Sequence, residues 1–214
     1  MKKYEELARS VTFKMKRSKV SLKSTDPELE LIGKGRSAYA FRIQNTEKVL
    51  KVFFPPFHHI AKEETEIYQQ LSGCPYYPVL YESGENYLVI DYIEGKTLYN
   101  CLVEGHPIFP FYLDEVDKAL QVAREKGLNP SDIHLRNIIV TPAGHIKLID
   151  VARFRQSKSC SQWDDIKAAF YTIYNQRFYS RKIPDPLLST VAYLYKKALF
   201  QRLFLEYLSR HKHP

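Results

Sequence analysis

The sequence predicts an α+β chain, strand-rich up to about residue 92 and mainly helical beyond Gly95. Three observations carry this expectation. Between about residues 26 and 92, apolar and β-branched runs such as Val49-Leu50-Lys51-Val52-Phe53 and Leu88-Val89-Ile90 alternate with turn residues, as in a small antiparallel sheet. Only one stretch there has helical spacing, from about His58 to Ser72, where Ile60, Glu64, Ile67 and Leu71 share a face. Past Gly95 the spacing is mostly helical, interrupted by a β-hairpin between Asn129 and Phe154.

Residues 1 to 25 form a helical and basic lead-in. Lys14, Lys16, Arg17, Lys19 and Lys23, interrupted by Val20 and Leu22, read either as a solvated extension or first strand, or as a contact for an acidic partner. No nucleic-acid motif accompanies them. In the run Leu31 to Phe41, Gly33 and Gly35 allow the backbone of a strand-turn-strand to approach phosphate oxygens closely. A turn at Gln44 to Glu47 leads to the strand that contains Lys51, whose ammonium, set in an apolar run, needs an anion. Glu64 lies within the inward stripe of the following helix, whereas Glu63 and Glu66 point elsewhere. Pairing Lys51 with Glu64 relieves the desolvation cost of both.

Leu88 to Gly95 reads as a buried strand running into an acidic, glycine-terminated segment that includes Asp91. Asp114 to Lys126, with Val116, Leu120 and Ala123, reads as an amphipathic helix. Ile138–Thr141 and His145–Ile149 flank Pro142-Ala143-Gly144 as two short strands and a tight turn. Pairing Thr141 with Ile146 and Ile138 with Ile149 also sets Asn137 opposite Asp150, with Asp132 just upstream. Two carboxylates and an amide oxygen suit Mg²⁺ and a polyphosphate, with one carboxylate available to take a proton. Trp163–Tyr174 and Leu187–Leu208 read as helices separated by Pro184-Asp185-Pro186. The aromatic stripe of Tyr193, Tyr195, Phe200, Phe204 and Tyr207 on the last of these reads as core.

Composition fits an ordinary globular enzyme. With 44% hydrophobic and 26% charged residues over 214 positions, the chain can bury a substantial core in one domain or two small lobes. No run approaches a membrane span, and the lysines of MKKYEELARS are not followed by an apolar stretch, so neither a transmembrane segment nor a signal peptide is expected. Cys74, Cys101 and Cys160 lack metal-site spacing and read as reduced thiols of a cytoplasmic protein.

Asp132, Asn137 five positions on, and Asp150 at the end of the next strand resemble the catalytic loop and metal-binding Asp of the protein kinase-like superfamily. Upstream, the glycine loop with Ala38 at its third glycine position, then Lys51, Glu64 and the strand ending near Asp91, occur in that family's order. The resemblance covers about residues 27 to 170 and is closest to a small, atypical bacterial serine/threonine protein kinase. It implies a bilobal fold with a basic N-terminal extension (1–25), a sheet-based N-lobe with one helix (26–92) and a helical, truncated C-lobe (93–214). It also implies ATP and Mg²⁺ as cofactors. Asp132 would orient the acceptor hydroxyl, and Asn137 and Asp150 would hold the metal. Gly33, Lys34, Gly35, Arg36, Ser37, Ala38, Lys51, Glu64 and Asp91 would line the nucleotide site.

Departures from the family pattern shape the functional expectation. Pro130-Ser131 replace the usual His-Arg, which removes a receptor for a phosphorylated activation loop. Val151-Ala152 replace Phe-Gly, and only Val151 to Gln162 separate Asp150 from Trp163-Asp164-Asp165, which resembles the start of the helix anchoring the C-lobe. His134 stands where protein kinases usually carry lysine and is similar to small-molecule phosphotransferases. Three readings follow, in order: a minimal protein serine/threonine kinase, a kinase of a small-molecule hydroxyl, and a nucleotide-binding pseudokinase acting as an interaction module. The acceptor, protein or small molecule, is left open.

Overall fold

The computed structural model describes residues 2–16, 19–157, 160–178 and 181–196, which form two compact units. The first comprises residues 1–94, 119–130 and 147–157; the second comprises residues 95–118, 131–146 and 158–214.

A five-stranded antiparallel sheet organises the first unit. It contains β3 (Leu29–Lys34), β4 (Ala38–Ile43), β5 (Lys48–Phe53), β6 (Leu80–Ser83) and β7 (Tyr87–Asp91), in the order β3-β4-β5-β7-β6. Helix α2 (His58–Gln70) connects β5 to β6, so β5 is central and pairs with β4 on one side and β7 on the other. Register assigns the faces. Phe41 opposes Leu50 and Val89 opposes Leu50, while Ala40 and Leu88 oppose Lys51. Alternation therefore gives β5 one face with Leu50 and Val52, apolar apart from Lys48 at its start, whose ammonium donates to the Tyr4 hydroxyl at 2.7 Å, and another that carries Lys51.

The first 25 residues cover the apolar face. Helix α1 (Tyr4–Ser10) and the hairpin of β1 (Thr12–Lys16) and β2 (Lys19–Ser24) bring Leu7, Ala8 and Val11 into one buried cluster with Tyr39, Phe41, Leu50, Val52, Phe54 and Val89. Phe13, Val20 and Leu22 pack against that cluster, with the Phe13 ring 5.1 Å from Phe54 and 5.7 Å from Tyr39. This segment is a folded part of the first unit, with a helix and two strands. Its Lys14, Lys16 and Lys23 face solvent. Arg17 and the Lys19 side chain lie outside the described residues.

In the second unit, β8 (Lys96–Thr97) pairs with β9 (Ile138–Val140), and Gly95 makes that pairing possible. Its φ is +150°, and a Cβ there would lie 2.3 Å from the Val140 carbonyl oxygen. Thr97 caps α3 (Leu98–Glu104) by accepting from the Asn100 amide at 3.1 Å. Helix α4 (Pro110–Glu125) starts four residues earlier than its apolar spacing indicates, because Pro110 at its first position pre-sets a helical φ. Asp117 of α4 accepts from Trp163 Nε1 at 2.7 Å and from Lys167 Nζ at 3.0 Å, which ties α4 to α5 (Gln162–Ala169). The expected helix from Trp163 to Tyr174 is α-helical only to Ala169 and continues as a π-helical stretch over Phe170–Phe178. Helix α6 (Asp185–Lys196) begins within Pro184-Asp185-Pro186. Phe200, Phe204 and Tyr207 lie outside the described residues. Of the expected aromatic stripe, Tyr193 is 57% exposed, so at that position the core reading does not hold.

The Pro142-Ala143-Gly144 turn forms, but one residue tighter than expected. Thr141 N–H donates to the His145 carbonyl at 2.9 Å and Gly144 N–H donates to Thr141 at 2.9 Å, so Thr141 faces His145 and not Ile146. Gly144 at φ +80° gives the three-residue loop with a bulge, a turn whose geometry sets the register. The following strand, β10 (Ile146–Leu148), stops two residues short of Asp150.

Because Leu7 is fully buried beneath the sheet, Leu7→Ala is expected to cost about 2–5 kcal/mol. Urea unfolding with a wild-type midpoint in this variant would show that the N-terminal segment does not contribute to the core.

Candidate active site

Lys51 lies at the centre of the candidate site. Its Nζ is 2.8 Å from both carboxylate oxygens of Glu64 and 3.0 Å from Oδ1 of Asp150, all within the first unit. Glu64 is fully buried, as its place on the inward stripe of α2 requires, whereas the Asp150 side chain is 49% exposed. Burial alone would lower the pKa of Lys51, but the charges of Asp150 and Glu64 outweigh it and hold the ammonium above its ordinary value. Burial pushes the Glu64 carboxyl up to about 7; Lys51 pulls it the other way and Asp150 adds to the rise. Tyr68, one helical turn after Glu64, is buried as well. Burial, then the nearby Glu64 and Asp150, push its hydroxyl well above the usual phenol range, so it stays neutral.

Asp150 does not end a strand. It takes a left-handed backbone, φ +63°, immediately before a turn in which Phe154 N–H donates to the Val151 carbonyl at 3.0 Å. Asp132, in the second unit, takes the same conformation at φ +60°. Besides Asn45 these are the only non-glycine residues with positive φ among those described. Such backbone persists where surrounding structure over-determines it. Around Asp132, Ser131 and Ile133 are buried, and Asn137 N–H closes the loop onto the His134 carbonyl at 2.8 Å. Tyr99 N–H donates to Leu135 at 3.1 Å, which fixes the same loop against α3.

The glycine-rich loop is the three-residue connection between β3 and β4. Gly35 N–H donates to the Ala38 carbonyl at 2.8 Å, and the Ser37 carbonyl accepts from Phe54 N–H at 2.9 Å. Lys34 turns back to the N-terminal hairpin, donating to the Val20 carbonyl at 3.1 Å over the Tyr39 ring. Arg36 lies in the loop itself. Asp91, at the end of β7, uses its carboxylate internally: it accepts from Val79 N–H at 2.8 Å and from the Tyr81 hydroxyl at 2.7 Å. What β7 can offer a ligand near Asp91 is therefore backbone.

Some participants were not evident in the sequence. Arg155, Glu66, Gln70 and Asn129 form a polar cluster beside α2. Glu66 was recognisable only as an outward residue of α2, and Arg155 belongs to no periodic element, so nothing local linked them.

Comparison with known proteins assigns the family. The chain is 45% identical over 206 residues to YrzF of Bacillus subtilis, which carries the name of a serine/threonine-protein kinase; the match spans 95% of this chain and 96% of that one. The chain belongs to the protein kinase-like superfamily. It is also similar to a protein of Encephalitozoon cuniculi named as a cAMP-dependent protein kinase catalytic subunit, at 31% identity over 42% of this chain and 30% of the other. A serine/threonine-protein kinase by name from Clostridium perfringens, CPE1738, matches at 28% identity over 57% of this chain and 20% of its own length. No protein-family model matches. The expected α+β class holds for this kinase: antiparallel strands dominate its N-terminal half and helices follow. No described helix is long and apolar enough to cross a membrane.

The Glu64 proton couples stability of the kinase to pH. Its folded pKa lies above the 4.5 of an exposed glutamate, so the folded state binds the proton more tightly and stability falls as pH rises from 4.5 to about 7. Lys51→Met removes the counter-charge and raises that pKa further. At pH 8 the variant is expected to lose about 3–5 kcal/mol, and clearly less at pH 5.5, where Glu64 is protonated. Denaturant titrations at the two pH values giving equal losses would show that Glu64 is not the charge left behind.

Proposed function

We propose that this kinase transfers the γ-phosphoryl group of Mg·ATP to a hydroxyl, most simply a serine or threonine of a protein. One observation carries the reading: a single lysine ammonium bridges a buried glutamate on α2 and a half-exposed aspartate, Asp150. A purely structural ion pair needs one carboxylate. The second, solvent-facing one makes sense if a cation and phosphates share the site, because an ammonium held by Glu64 can then contact α- and β-phosphate oxygens.

The glycine loop supports the same reading. Neither Gly33 nor Gly35 has positive φ, and a Cβ would meet Ala40 at 3.7 Å and the Ala38 carbonyl at 3.4 Å, both tolerable. Internal contacts do not demand glycine at these positions, whereas close approach of a phosphate does. Among the described residues no three His, Cys, Asp or Glu side chains gather as a freestanding metal site. Mg²⁺ is usually held by one or two carboxylates together with substrate phosphates, and the family resemblance would assign its protein ligands to Asp150 and Asn137. Bound there, Mg²⁺ would offset phosphate charge. Asp132, held in its strained conformation, would orient the acceptor hydroxyl and receive its proton. Lys51 would align the phosphates and Glu64 would fix Lys51. Near Asp91, the strand backbone would meet the adenine. Lys14, Lys16 and Lys23 would suit an acidic acceptor or partner.

The test is transfer of γ-labelled phosphate with Mg²⁺, offered protein and small-molecule acceptors, beside Asp132→Ala. Label is expected in protein and is expected to fall at least about a hundredfold in the variant. Label found only in a small molecule would favour the reading suggested by His134. Nucleotide binding without transfer under any condition would leave an interaction module.

A further inference from the structure

Helix α2 is held on two opposite faces. Glu64 points inward to Lys51, and Glu66, two positions on and so roughly half a turn around the helix, points outward to Arg155. Arg155 Nη1 lies 2.5 Å from Glu66 Oε2, and its Nη2 donates to Gln70 Oε1 at 3.4 Å. The guanidinium therefore spans one turn of α2, from Glu66 to Gln70.

The backbone around Arg155 is fixed in its turn. It bridges in parallel with Asn129; Asn129 N–H donates to the Phe154 carbonyl at 2.6 Å and Asn129 Nδ2 donates to the Gln156 carbonyl at 2.5 Å. Five residues upstream is Asp150, which contacts Lys51. The contacts thus close a ring: Lys51 to Glu64, across α2 to Glu66, out to Arg155, back along the chain to Asp150, and again to Lys51. Every member lies in the first unit. Rotating α2 to withdraw Glu64 would pull Glu66 from Arg155, and swinging the segment after Asp150 would break both Arg155 and Asn129 contacts.

We propose that Arg155 is a positioning residue: it locks the rotation of α2 so that Glu64 stays on Lys51, with no modification of the segment after Asp150 required. This proposal rests on the phosphotransferase reading for its effect on rate, but not for its effect on the helix. Both side chains are more than a third exposed, 38% and 40%, so the pair contributes little to global stability. Positioning and stability are therefore separable by experiment.

Arg155→Ala and Glu66→Ala would be made singly and together, with the charge swap Arg155→Glu plus Glu66→Arg. Steady-state phosphotransfer, melting temperature and amide hydrogen exchange over residues 58–70 would be measured for each. Each single variant is expected to lower kcat roughly five- to tenfold with the KM for ATP within about twofold, and to speed exchange in α2 by about tenfold. Melting should move by less than about 3 °C. The double alanine variant should be no worse than either single one, and the swap should recover kcat to within about threefold of wild type. Unchanged exchange in the single variants, or losses that add in the double variant, would overturn the proposal. If the wild-type protein transfers no phosphate, the functional reading fails while the exchange measurement still decides the clamp.

Discussion

A largely buried ammonium on the central strand of the sheet is the constraint on which the first unit depends. Lys51 cannot be left without anions in that environment, because an unpaired buried charge costs several kcal/mol. Its partners come from 13 and 99 residues away in the chain, Glu64 on α2 and Asp150 after β10. Satisfying it therefore positions a helix and a distant loop at once. It also forbids register slips: moving β5 by one residue would turn Lys51 into the apolar cluster of Phe41, Val89 and Leu7.

The sheet is two-faced as a result. One face is dry, closed by α1 and the β1–β2 hairpin with stacked and edge-on contacts among Phe13, Tyr39, Phe54 and Phe57. The other bears the charges under α2. Covering the dry face gives β5 neighbours on both sides, and a strand held this way presents Lys51 with little freedom. Such rigidity suits a reaction in which the protein supplies position and charge.

Departures from the family pattern have structural consequences. Small, buried Ser131 occupies a position where the family usually has an arginine, and Val151, where a phenylalanine is usual, is fully buried. The short stretch after Asp150 is stitched to Asn129 by its backbone and to α2 by Arg155. A segment so held is a strut, and the arrangement of Glu64 against Lys51 is built into the fold.

Much of the fold was legible because its signals are local. The inward place of Glu64 followed from helical spacing, the apolar setting of Lys51 from its neighbours in the strand, and the Pro142–Gly144 turn from its residues, since each depends on a few consecutive positions. Their pairing could be inferred from the cost of burying each alone. Long-range contacts were not legible. The N-terminal segment reads as a basic solvated extension or first strand, and nothing local shows that Phe13, Val20 and Leu22 of its strands pack onto the sheet. Asp91 reads as the acidic end of a buried strand, and nothing local shows that Val79 N–H and the Tyr81 hydroxyl take its carboxylate. Arg155 carries no periodic signal, and its meaning comes from Glu66, 89 residues earlier. By itself the sequence determined which residues bear charge within apolar runs and the order in which they occur. Only the tertiary structure decided which of them meet, because burial and partner choice depend on faces brought together from distant parts of the chain.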